Sequence, residues 1–217
     1  MLDWLFPRRH WPSLTLDQIR SRARILVIDD DPFRYLDMFT EAHYRIEQWL
    51  DVTSLASLEQ EDYDIILLDI ADVGKKISGD EGLGVLKAVR SVSPTQIIVA
   101  YSNKEFSLRL KQFLNLATDS IDKNVTDYAD CKATIDKLLH MRFSLSWYVD
   151  QVIDQLREQT RDAQKLRKQT EKAILHRNPR YFENRVHPHT DTEKTAVAIS
   201  LRHIRSAIGV LERCHGS

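Results

Sequence analysis

The chain has 217 residues, of which 42% are hydrophobic and 29% are charged, and its formal net charge is -1. The length suffices for one full domain and a smaller second element, and the composition is typical of a packed globular protein. No apolar stretch approaches the roughly 18–20 residues of a membrane-spanning helix. The first residues also lack the basic leader and apolar core of a secretory signal. Only two cysteines occur, Cys131 and Cys214, and they are far apart and lack metal-ligand spacing, so a reducing cytoplasm is the expected location.

Residues 1–23 precede the first predicted strand and form an N-terminal extension. Thr15 and Gln18 have the spacing of a capping box, which predicts a short helix over about 16–22. Four large apolar residues of this extension are unsuited to a free tail, namely Trp4, Leu5, Phe6 and Trp11. We expect them to pack on the body of the protein or on a symmetry mate, and a membrane-surface or partner anchor is the alternative.

From Arg24 onward, short apolar runs alternate with helical patterns, which is typical of βαβ units in a parallel sheet. The predicted strands are 24–28, 45–49, 64–69, 96–101 and 119–122. The predicted helices run from Pro32 to about 42, over 54–61, from Leu83 to about 90, over 104–116 and over 127–140. Five strands and five helices in about 118 residues indicate one compact domain.

Charged side chains follow several of these strands at the point where each strand ends. Asp29 and Asp30 come directly after the first strand, Asp69 ends the third, and Lys123 follows the fifth. A hydroxyl side chain also follows the fourth strand. Right-handed crossovers bring the carboxyl ends of parallel strands to one edge, which is where ligands bind in open α/β sheets. We therefore expect these groups to lie close together.

Each group in this set has a role if the chemistry is phosphoryl transfer onto a carboxylate. Asp69 would be the nucleophile. Asp30 would hold Mg²⁺, with Asp29 acting directly or through water, because Mg²⁺ takes one or two protein carboxylates and keeps several waters. The metal and Lys123 would neutralise charge on the transferred group, and the hydroxyl would sense that group by a hydrogen bond. A single Asp at a strand end is usually a cap or a turn residue. An Asp pair, a further Asp, a hydroxyl and a Lys, each after its own strand in this order, rarely occur together by chance.

Three segments, Arg24–Pro32, Ile65–Ile70 and Ile121–Lys123, together resemble the receiver domain of two-component response regulators, over residues 24–141. The resemblance implies a flavodoxin-like fold, with a five-stranded parallel sheet of order 2-1-3-4-5 and helices on both faces. It also implies that Asp69 accepts a phosphoryl group from a histidine kinase or phosphotransfer protein when Mg²⁺ is present. On that pattern Asp29 and Asp30 are the acidic pair, and the backbone carbonyl of Ala71 completes the metal site.

The sequence departs from the family pattern at three places. The loop from Ala71 to Gly82 is longer than the family's short turn after the phosphoacceptor. After the fourth strand we predict that Ser102 is the switch hydroxyl, and the register leaves Tyr101 as the alternative. Lys123 is followed by Asn124 where the family has proline, so no cis peptide bond is expected there.

The remaining residues, 142–217, show two helical stripes of apolar residues at alternating four- and three-residue spacing. The first stripe, over about 144–175, consists of Leu145, Val149, Val152, Leu156, Ala163, Leu166 and Ala173. The second, over about 192–213, consists of Val197, Leu201, Ile204, Ile208 and Leu211. Such narrow stripes predict an all-α helical hairpin with a weakened coiled-coil seam, paired with a second copy as a homodimeric four-helix bundle.

Residues 151–217 carry 13 Lys and Arg against 8 Asp and Glu. We interpret this excess as a solvated face, and because no helix-turn-helix pattern is present, nucleic-acid binding is not expected. A metal site at His187 and His189 is not favoured, because a loop offers no fixed geometry. Nor is a phosphorelay role for His203, whose neighbours are unlike those of a phosphotransfer histidine.

These patterns together predict a response-regulator-like phospho-switch, in which phosphorylation of Asp69 alters dimerisation or the binding of a downstream protein through residues 142–217. Apart from its own phosphorylation, we expect no reaction on an outside substrate, so the chain is not predicted to be an enzyme. The alternative is a receiver-like scaffold that is no longer phosphorylated and that recruits a protein partner. Two features motivate that alternative, namely the long loop after Asp69 and the presence of Asn124 where the family has proline.

Overall fold

A computed structural model describes residues 10–52, 54–59, 63–103, 108–159 and 162–215. The chain divides into two compact units, one spanning Thr15–Phe143 and the other combining Met1–Leu14 with Ser144–Ser217. Trp4, Leu5 and Phe6 lie outside the described residues, whereas Trp11 is described and its ring centroid is 6.3 Å from that of Tyr148. None of the helices in the described ranges is long and apolar enough to cross a membrane.

The first unit contains a sheet of five parallel strands in the order β2-β1-β3-β4-β5, which confirms the predicted topology. The strands are β1 (Arg24–Ile28), β2 (Arg45–Trp49), β3 (Ile65–Leu68), β4 (Ile97–Ser102) and β5 (Asp119–Asp122). All residues of β3 and β4 are buried, as expected for central strands of a parallel sheet that is covered on both faces. In the register, Ile28 pairs with Leu68, and Leu68 pairs with Ala100, so β1 and β3 end side by side and β4 continues for two more residues.

The described residues of this unit form six helices, and the bounds of these helices modify the sequence prediction. They are α1 (Leu16–Arg22), α2 (Leu36–Glu41), α3 (Ala56–Glu59), α4 (Glu81–Val92), α5 (Leu108–Leu116) and α6 (Tyr128–Arg142). The predicted start of the second helix at Pro32 is wrong, because the side chain of Gln48 in β2 holds the preceding segment as a loop. The Gln48 amide accepts a hydrogen bond from the Phe33 N–H (2.8 Å) and donates to the carbonyl oxygens of Asp29 (3.0 Å) and Asp31 (2.6 Å).

The predicted capping box at α1 is confirmed, since Thr15 and Gln18 each accept a hydrogen bond from the other's backbone N–H. α1 also packs on α6, where the Asp136 carboxylate accepts hydrogen bonds from Arg20 (2.6 Å), Lys132 (3.0 Å) and the Tyr44 hydroxyl (2.5 Å). Burial raises the pKa of Asp136, but these three hydrogen bonds lower it by more, so the net shift is downward. The Asp136 carboxylate is therefore ionised, and its hydrogen bonds connect α1 to α6.

Replacing Asp136 with Asn should lower the free energy of unfolding at neutral pH, because the charge-assisted hydrogen bonds from Arg20 and Lys132 are lost. A carboxyl group with a depressed folded pKa stabilises the protein above its unfolded pKa, and this stabilisation disappears as the pH falls through the folded value. The difference between wild type and variant should thus stay constant down to about pH 4 and close below it. Urea unfolding at several pH values measures it, and a difference that persists at low pH would contradict this assignment.

The second unit consists of α7 (Leu145–Gln155), α8 (Ala163–Leu175), α9 (Pro179–Glu183) and α10 (Asp191–His215). The prediction of one helix over 144–175 is wrong. α7 ends in a turn over 156–159, and α8 begins anew with Asp162, whose side chain accepts from the backbone N–H of Lys165 at 2.8 Å. The predicted helix over 192–213 is confirmed as α10, and Pro179 starts the additional helix α9 because proline suits a first helical turn.

The break after α7 lets the apolar stripes bury one another within a single copy of the chain. The buried side chains of this unit include Val149, Val152, Leu156, Leu166, Ala173, Ile174, Val197, Leu201, Ile204 and Leu211. His203 is also buried, at 5% exposure, with its ring centroid 6.5 Å from that of Trp147. The seam that motivated the predicted homodimer is thus already covered, so a dimer through residues 142–217 needs another surface.

Candidate phosphoacceptor site

Asp69 lies at the carboxyl edge of the sheet, directly after β3. Its backbone N–H donates to the Ile28 carbonyl at 2.9 Å, so the chain still follows β1 at this residue. The Oδ1 atom accepts from the Ile70 N–H at 2.7 Å, and the residue is only 6% exposed. The backbone therefore fixes one oxygen of this carboxylate and leaves Oδ2 to contact other side chains.

Two further carboxylates reach the same place from the loop after β1. Asp29 is 2% exposed and its Oδ1 accepts from the Asp31 N–H at 3.1 Å, whereas Asp30 is exposed. One carboxylate oxygen from each of Asp29, Asp30 and Asp69 can be chosen so that all lie within 4.8 Å of one another. Across the described ranges no other group of three Asp, Glu, His or Cys residues meets this condition, so His187 and His189 form no such cluster. Clustered carboxylate oxygens suit a hard divalent cation such as Mg²⁺.

Lys123 joins the two buried carboxylates. Its Nζ atom is 2.7 Å from Asp29 Oδ2 and 2.6 Å from Asp69 Oδ2. Burial raises the pKa of Asp29, and the hydrogen bond from Lys123 offsets part of that increase. Burial lowers the pKa of Lys123, but its hydrogen bonds to Asp29 and Asp69 raise it by more, so the ammonium group stays charged. The site thus holds a positive charge beside the Asp69 carboxylate, where a transferred phosphoryl group would bring negative charge.

The backbone carbonyl of Ala71, the predicted fourth metal ligand, accepts a hydrogen bond from the Val73 N–H at 2.8 Å. A carbonyl oxygen has two lone pairs, so this hydrogen bond leaves one acceptor position. Together the three carboxylate groups and this carbonyl supply oxygen ligands of the kind that Mg²⁺ takes, and the residues fit the metal by their chemistry.

The structure separates the two candidates for the switch hydroxyl. The ring of Tyr101 in β4 is buried, and its centroid is 5.2 Å from Lys123 Nζ and 5.4 Å from the ring of Phe33. Successive side chains of a strand point to opposite faces, so Ser102 faces away from Tyr101. The Ser102 hydroxyl donates to the Asn103 carbonyl at 3.2 Å. The geometry thus favours Tyr101 over Ser102 as the residue that contacts the site.

The long loop after Asp69 is anchored to the site's own backbone. Gly74 has a φ of 72°, a conformation that glycine adopts readily. Its N–H donates to Oδ1 of Asp51, two residues after β2, at 2.6 Å. The Gly82 N–H donates to the Ile70 carbonyl at 3.2 Å, which places the start of α4 against the segment that follows Asp69. The carboxyl-terminal end of the loop is thereby held close to Asp69.

Replacing Gly82 with Ala should destabilise the protein by about 1–3 kcal/mol, because a rigid overpacked position cannot relax. A Cβ atom there would lie 1.9 Å from the Asp69 carbonyl oxygen and 2.9 Å from Ile70 Cα, and both are backbone atoms. Gly79 is the matched control, since a Cβ atom at that position meets nothing within 4 Å. Thermal unfolding of the two variants tests this packing, and equal melting temperatures would rule out the close contact.

Gln48 and Asp51 were not among the residues predicted for the site. Gln48 shapes the loop that carries Asp29, and Asp51 anchors the loop that follows Asp69. Gln48 lies near the end of β2, the strand next to β1 in the sheet, and Asp51 lies two residues after that strand. The sequence signal for both residues was their position. Each is a polar residue within or shortly after a strand whose carboxyl end lies at the same edge of the sheet as Asp29 and Asp69.

The chain matches no family model. Among curated proteins it is 28% identical over 121 residues to the "Transcriptional activator protein IrlR" of Burkholderia pseudomallei, strains 1026b and K96243. That alignment covers 54% of this chain and 50% of the relative, so the chain spans about half the length of the curated relatives that it matches.

The matched solved structures include a CheY-like response regulator receiver domain from Methanospirillum hungatei JF-1. It is 24% identical, with a TM-score of 0.43, over 54% of this chain and 93% of that one. Chemotaxis protein CheY4 of Vibrio cholerae is 19% identical, with a TM-score of 0.43, over 54% and 98% of the two chains. NtrX of Brucella abortus is 20% identical, with a TM-score of 0.48, over 70% and 35%. By its strand order and by the residues at its carboxyl edge, residues 24–141 of the chain resemble the receiver domain of two-component response regulators.

Proposed function

We propose that the chain is a response-regulator-like phospho-switch in which Asp69 accepts a phosphoryl group from a histidine kinase or a phosphotransfer protein. One observation carries the proposal. The Asp69 carboxylate lies 2.6 Å from the Lys123 ammonium group and shares a cluster of oxygens with Asp29 and Asp30. A nucleophile, a cation and a metal-binding acidic pair in one place are the parts that phosphoryl transfer to a carboxylate needs.

In the proposed reaction an oxygen of Asp69 forms the new bond to phosphorus, and the bond from phosphorus to the donor atom breaks. The donor leaves with that bond's electron pair, and the product is an acyl phosphate on Asp69. The N–H of Ile70 orients Oδ1 of the carboxylate, while Lys123 shifts from Asp29 and Asp69 to a phosphoryl oxygen. Asp29, Asp30 and Asp69 would hold Mg²⁺ with the Ala71 carbonyl, and the bound ion would supply charge neutralisation for the phosphoryl oxygens.

We further propose that the protein acts in the cytoplasm, where its phosphodonor would be. Apart from its own phosphorylation, it would catalyse no reaction on an outside substrate. It includes a downstream protein partner and a homodimer through residues 142–217. Because the apolar seam of the C-terminal unit is buried, the dimer contact would use the outer faces of these helices. Light scattering of the phosphorylated and unphosphorylated chain would measure the dimer directly, and a monomer in both states would remove it from the proposal.

Beryllofluoride, which stands in for the phosphoryl group, tests the proposed function. With Mg²⁺ present, beryllofluoride should raise the melting temperature of the wild type, because a ligand that binds only the folded state stabilises it. Asp69→Asn keeps the shape of the side chain but removes the carboxylate, so it should show no such increase. An equal response of both proteins, or no Mg²⁺-dependent response of the wild type, would refute the proposal.

Tyr101 and Ser102 should differ in their effect on this response. Tyr101→Ala should weaken the apparent affinity for beryllofluoride on the order of tenfold, because it removes the ring that contacts Lys123. Ser102→Ala should leave the affinity unchanged, since that side chain faces away, and Tyr101→Phe separates the ring from its hydroxyl. Titrations monitored by melting temperature measure all three, and a large loss in Ser102→Ala alone would restore Ser102 as the switch residue.

A receiver-like scaffold without phosphorylation is the second candidate function. The loop over 71–82 favours it, because the hydrogen bond from the Gly82 N–H to the Ile70 carbonyl holds that loop beside Asp69, where it would restrict the access of a phosphodonor. The scaffold predicts that calorimetry detects no Mg²⁺ binding to the wild type. Mg²⁺ binding that is lost in Asp30→Asn would support the phospho-switch instead.

A further inference from the structure

The positive charge of the C-terminal unit is concentrated in one segment. Residues 163–189 contain seven Lys and Arg against two Asp and Glu, a net charge of +5. The flanking residues 144–162 carry two basic against four acidic side chains, or -2, and residues 190–217 carry four against three, or +1. The excess of basic over acidic residues in 151–217 therefore lies in α8, in α9 and in the segment after α9.

Three lysines form a row on the exposed face of α8. Lys165, Lys168 and Lys172 are exposed, whereas Leu166 and Ala173 on the opposite side are buried. Their spacing of three and four residues places them on one helix face, and the row is about 10 Å long. Within the described ranges none of the three ammonium groups forms an ion pair. Arg167, on the flank of the same helix, is instead paired with Asp150.

An aromatic ring lies beside this row. Tyr181 of α9 and the three lysines line one depression of about 280 Å³, together with Gln164, Gln169 and Asp162. The Asp162 carboxylate already accepts the Lys165 N–H. The guanidinium carbon of Arg185 is 3.7 Å from the centroid of the Tyr181 ring, so a fourth cationic group lies against that ring. We call the surface formed by Lys165, Lys168, Lys172 and Tyr181 the basic face.

We propose that the basic face binds single-stranded nucleic acid, in contrast to the expectation from the sequence. The lysine row would neutralise consecutive phosphates, and Tyr181 would stack on a base, the combination by which proteins bind single strands. A duplex holds its bases inside the helix and offers no face to Tyr181, and an acidic peptide would use the lysines without the ring. This activity does not depend on phosphorylation of Asp69, so its failure and the failure of the proposed function are distinguishable.

Fluorescence anisotropy of the full chain with a labelled single-stranded oligonucleotide of about ten nucleotides tests the proposal. The triple variant K165Q/K168Q/K172Q should lose at least tenfold in affinity at low salt. Its plot of log affinity against log salt concentration should be shallower by about 2, because each phosphate contact on a single strand contributes about 0.7. Tyr181→Leu should lose roughly tenfold with an unchanged salt slope, and Tyr181→Phe should bind like the wild type.

The matched control is R45Q/K111Q/K137Q, which removes the same number of charges from exposed positions of the other unit. It should change the affinity by less than about twofold. An equal loss in this control, wild-type affinity in both the triple lysine variant and Tyr181→Leu, or no binding by the wild type at low salt would overturn the proposal. Tighter binding of duplex DNA or of polyglutamate than of the single strand would also overturn it. DNA and RNA strands of one sequence, assayed in parallel, identify the preferred sugar.

Discussion

Replacing Lys123 with Met should lower the free energy of unfolding at neutral pH by about 3–5 kcal/mol, the range observed when one partner of a buried ion pair is removed. Lys123 bridges Asp29 and Asp69, and both carboxylates are almost fully buried. Without the ammonium group these two like charges would remain close together in a desolvated site. The variant should therefore be unstable because of charge, even though Met fills much of the same volume.

The loss of stability in Lys123→Met should depend on pH and on Mg²⁺. Burial already raises the pKa of Asp29 and the Lys123 hydrogen bond offsets part of the increase, so removing Lys123 should raise that pKa further. A carboxyl group with a raised folded pKa binds a proton in the folded state before the unfolded state does. The variant should consequently recover stability as the pH falls through the Asp29 pKa. Millimolar Mg²⁺ at neutral pH should also restore stability, by neutralising the same carboxylates.

Lys137→Met is the matched control for this experiment. Lys137 pairs with Asp119 at 3.0 Å but is 71% exposed, so its removal should have little effect on stability, with or without Mg²⁺. Urea unfolding of both variants with and without Mg²⁺ makes the comparison. A Lys123→Met protein as stable as the wild type, or one that Mg²⁺ does not stabilise, would mean that the buried carboxylates do not repel each other as described.

Arg142→Met should have an effect of similar size, again about 3–5 kcal/mol, at the opposite end of β3 from Asp69. Arg142 and Asp64 are each 1% exposed and lie 3.3 Å apart, and Asp64 also accepts the Arg24 N–H at 3.0 Å. The pair connects the last residue of α6 to the segment that enters β3. Methionine can fill the space of the arginine stem, but it removes the positive charge that lies 3.3 Å from the buried Asp64 carboxylate.

A double variant separates lost charge from lost packing at this position. Asp64→Leu combined with Arg142→Met removes both charges, and buried ion pairs replaced by apolar side chains are often neutral in stability. The double variant should therefore be more stable than Arg142→Met alone, although the Arg24 N–H loses its acceptor. Unfolding midpoints of the wild type and of both variants test this. A double variant less stable than the single one would show that Arg142 acts mainly by packing.

The fold was predictable where burial dominates the sequence pattern. β1, β3 and β4 are continuous apolar runs because they are buried on both faces, so their positions and their carboxyl-end aspartates follow from the sequence. The convergence of Asp29, Asp69 and Lys123 follows from topology, since parallel strands end at one edge. The structure brings these three residues into direct contact.

The remaining features depend on interactions that a local pattern does not contain. A periodic apolar stripe is compatible with one long helix or with two helices that fold back, and Asp162 starts the second helix by capping it. The choice between Tyr101 and Ser102 depends on a single residue of register, because adjacent side chains face opposite sides of the sheet. Gln48 and Asp51 act on loops that are distant in sequence, so only the folded chain reveals their partners.

Intact-mass spectrometry after incubation with acetyl phosphate tests whether Asp69 accepts a phosphoryl group. With Mg²⁺ present, the wild type should gain the mass of one phosphoryl group, and the gain should disappear when the metal is chelated. Asp69→Asn should gain none under the same conditions, and peptide mapping of the wild type should place the group on Asp69. A wild type whose mass does not change, or an equal gain in Asp69→Asn, would contradict the assignment of Asp69 as phosphoacceptor.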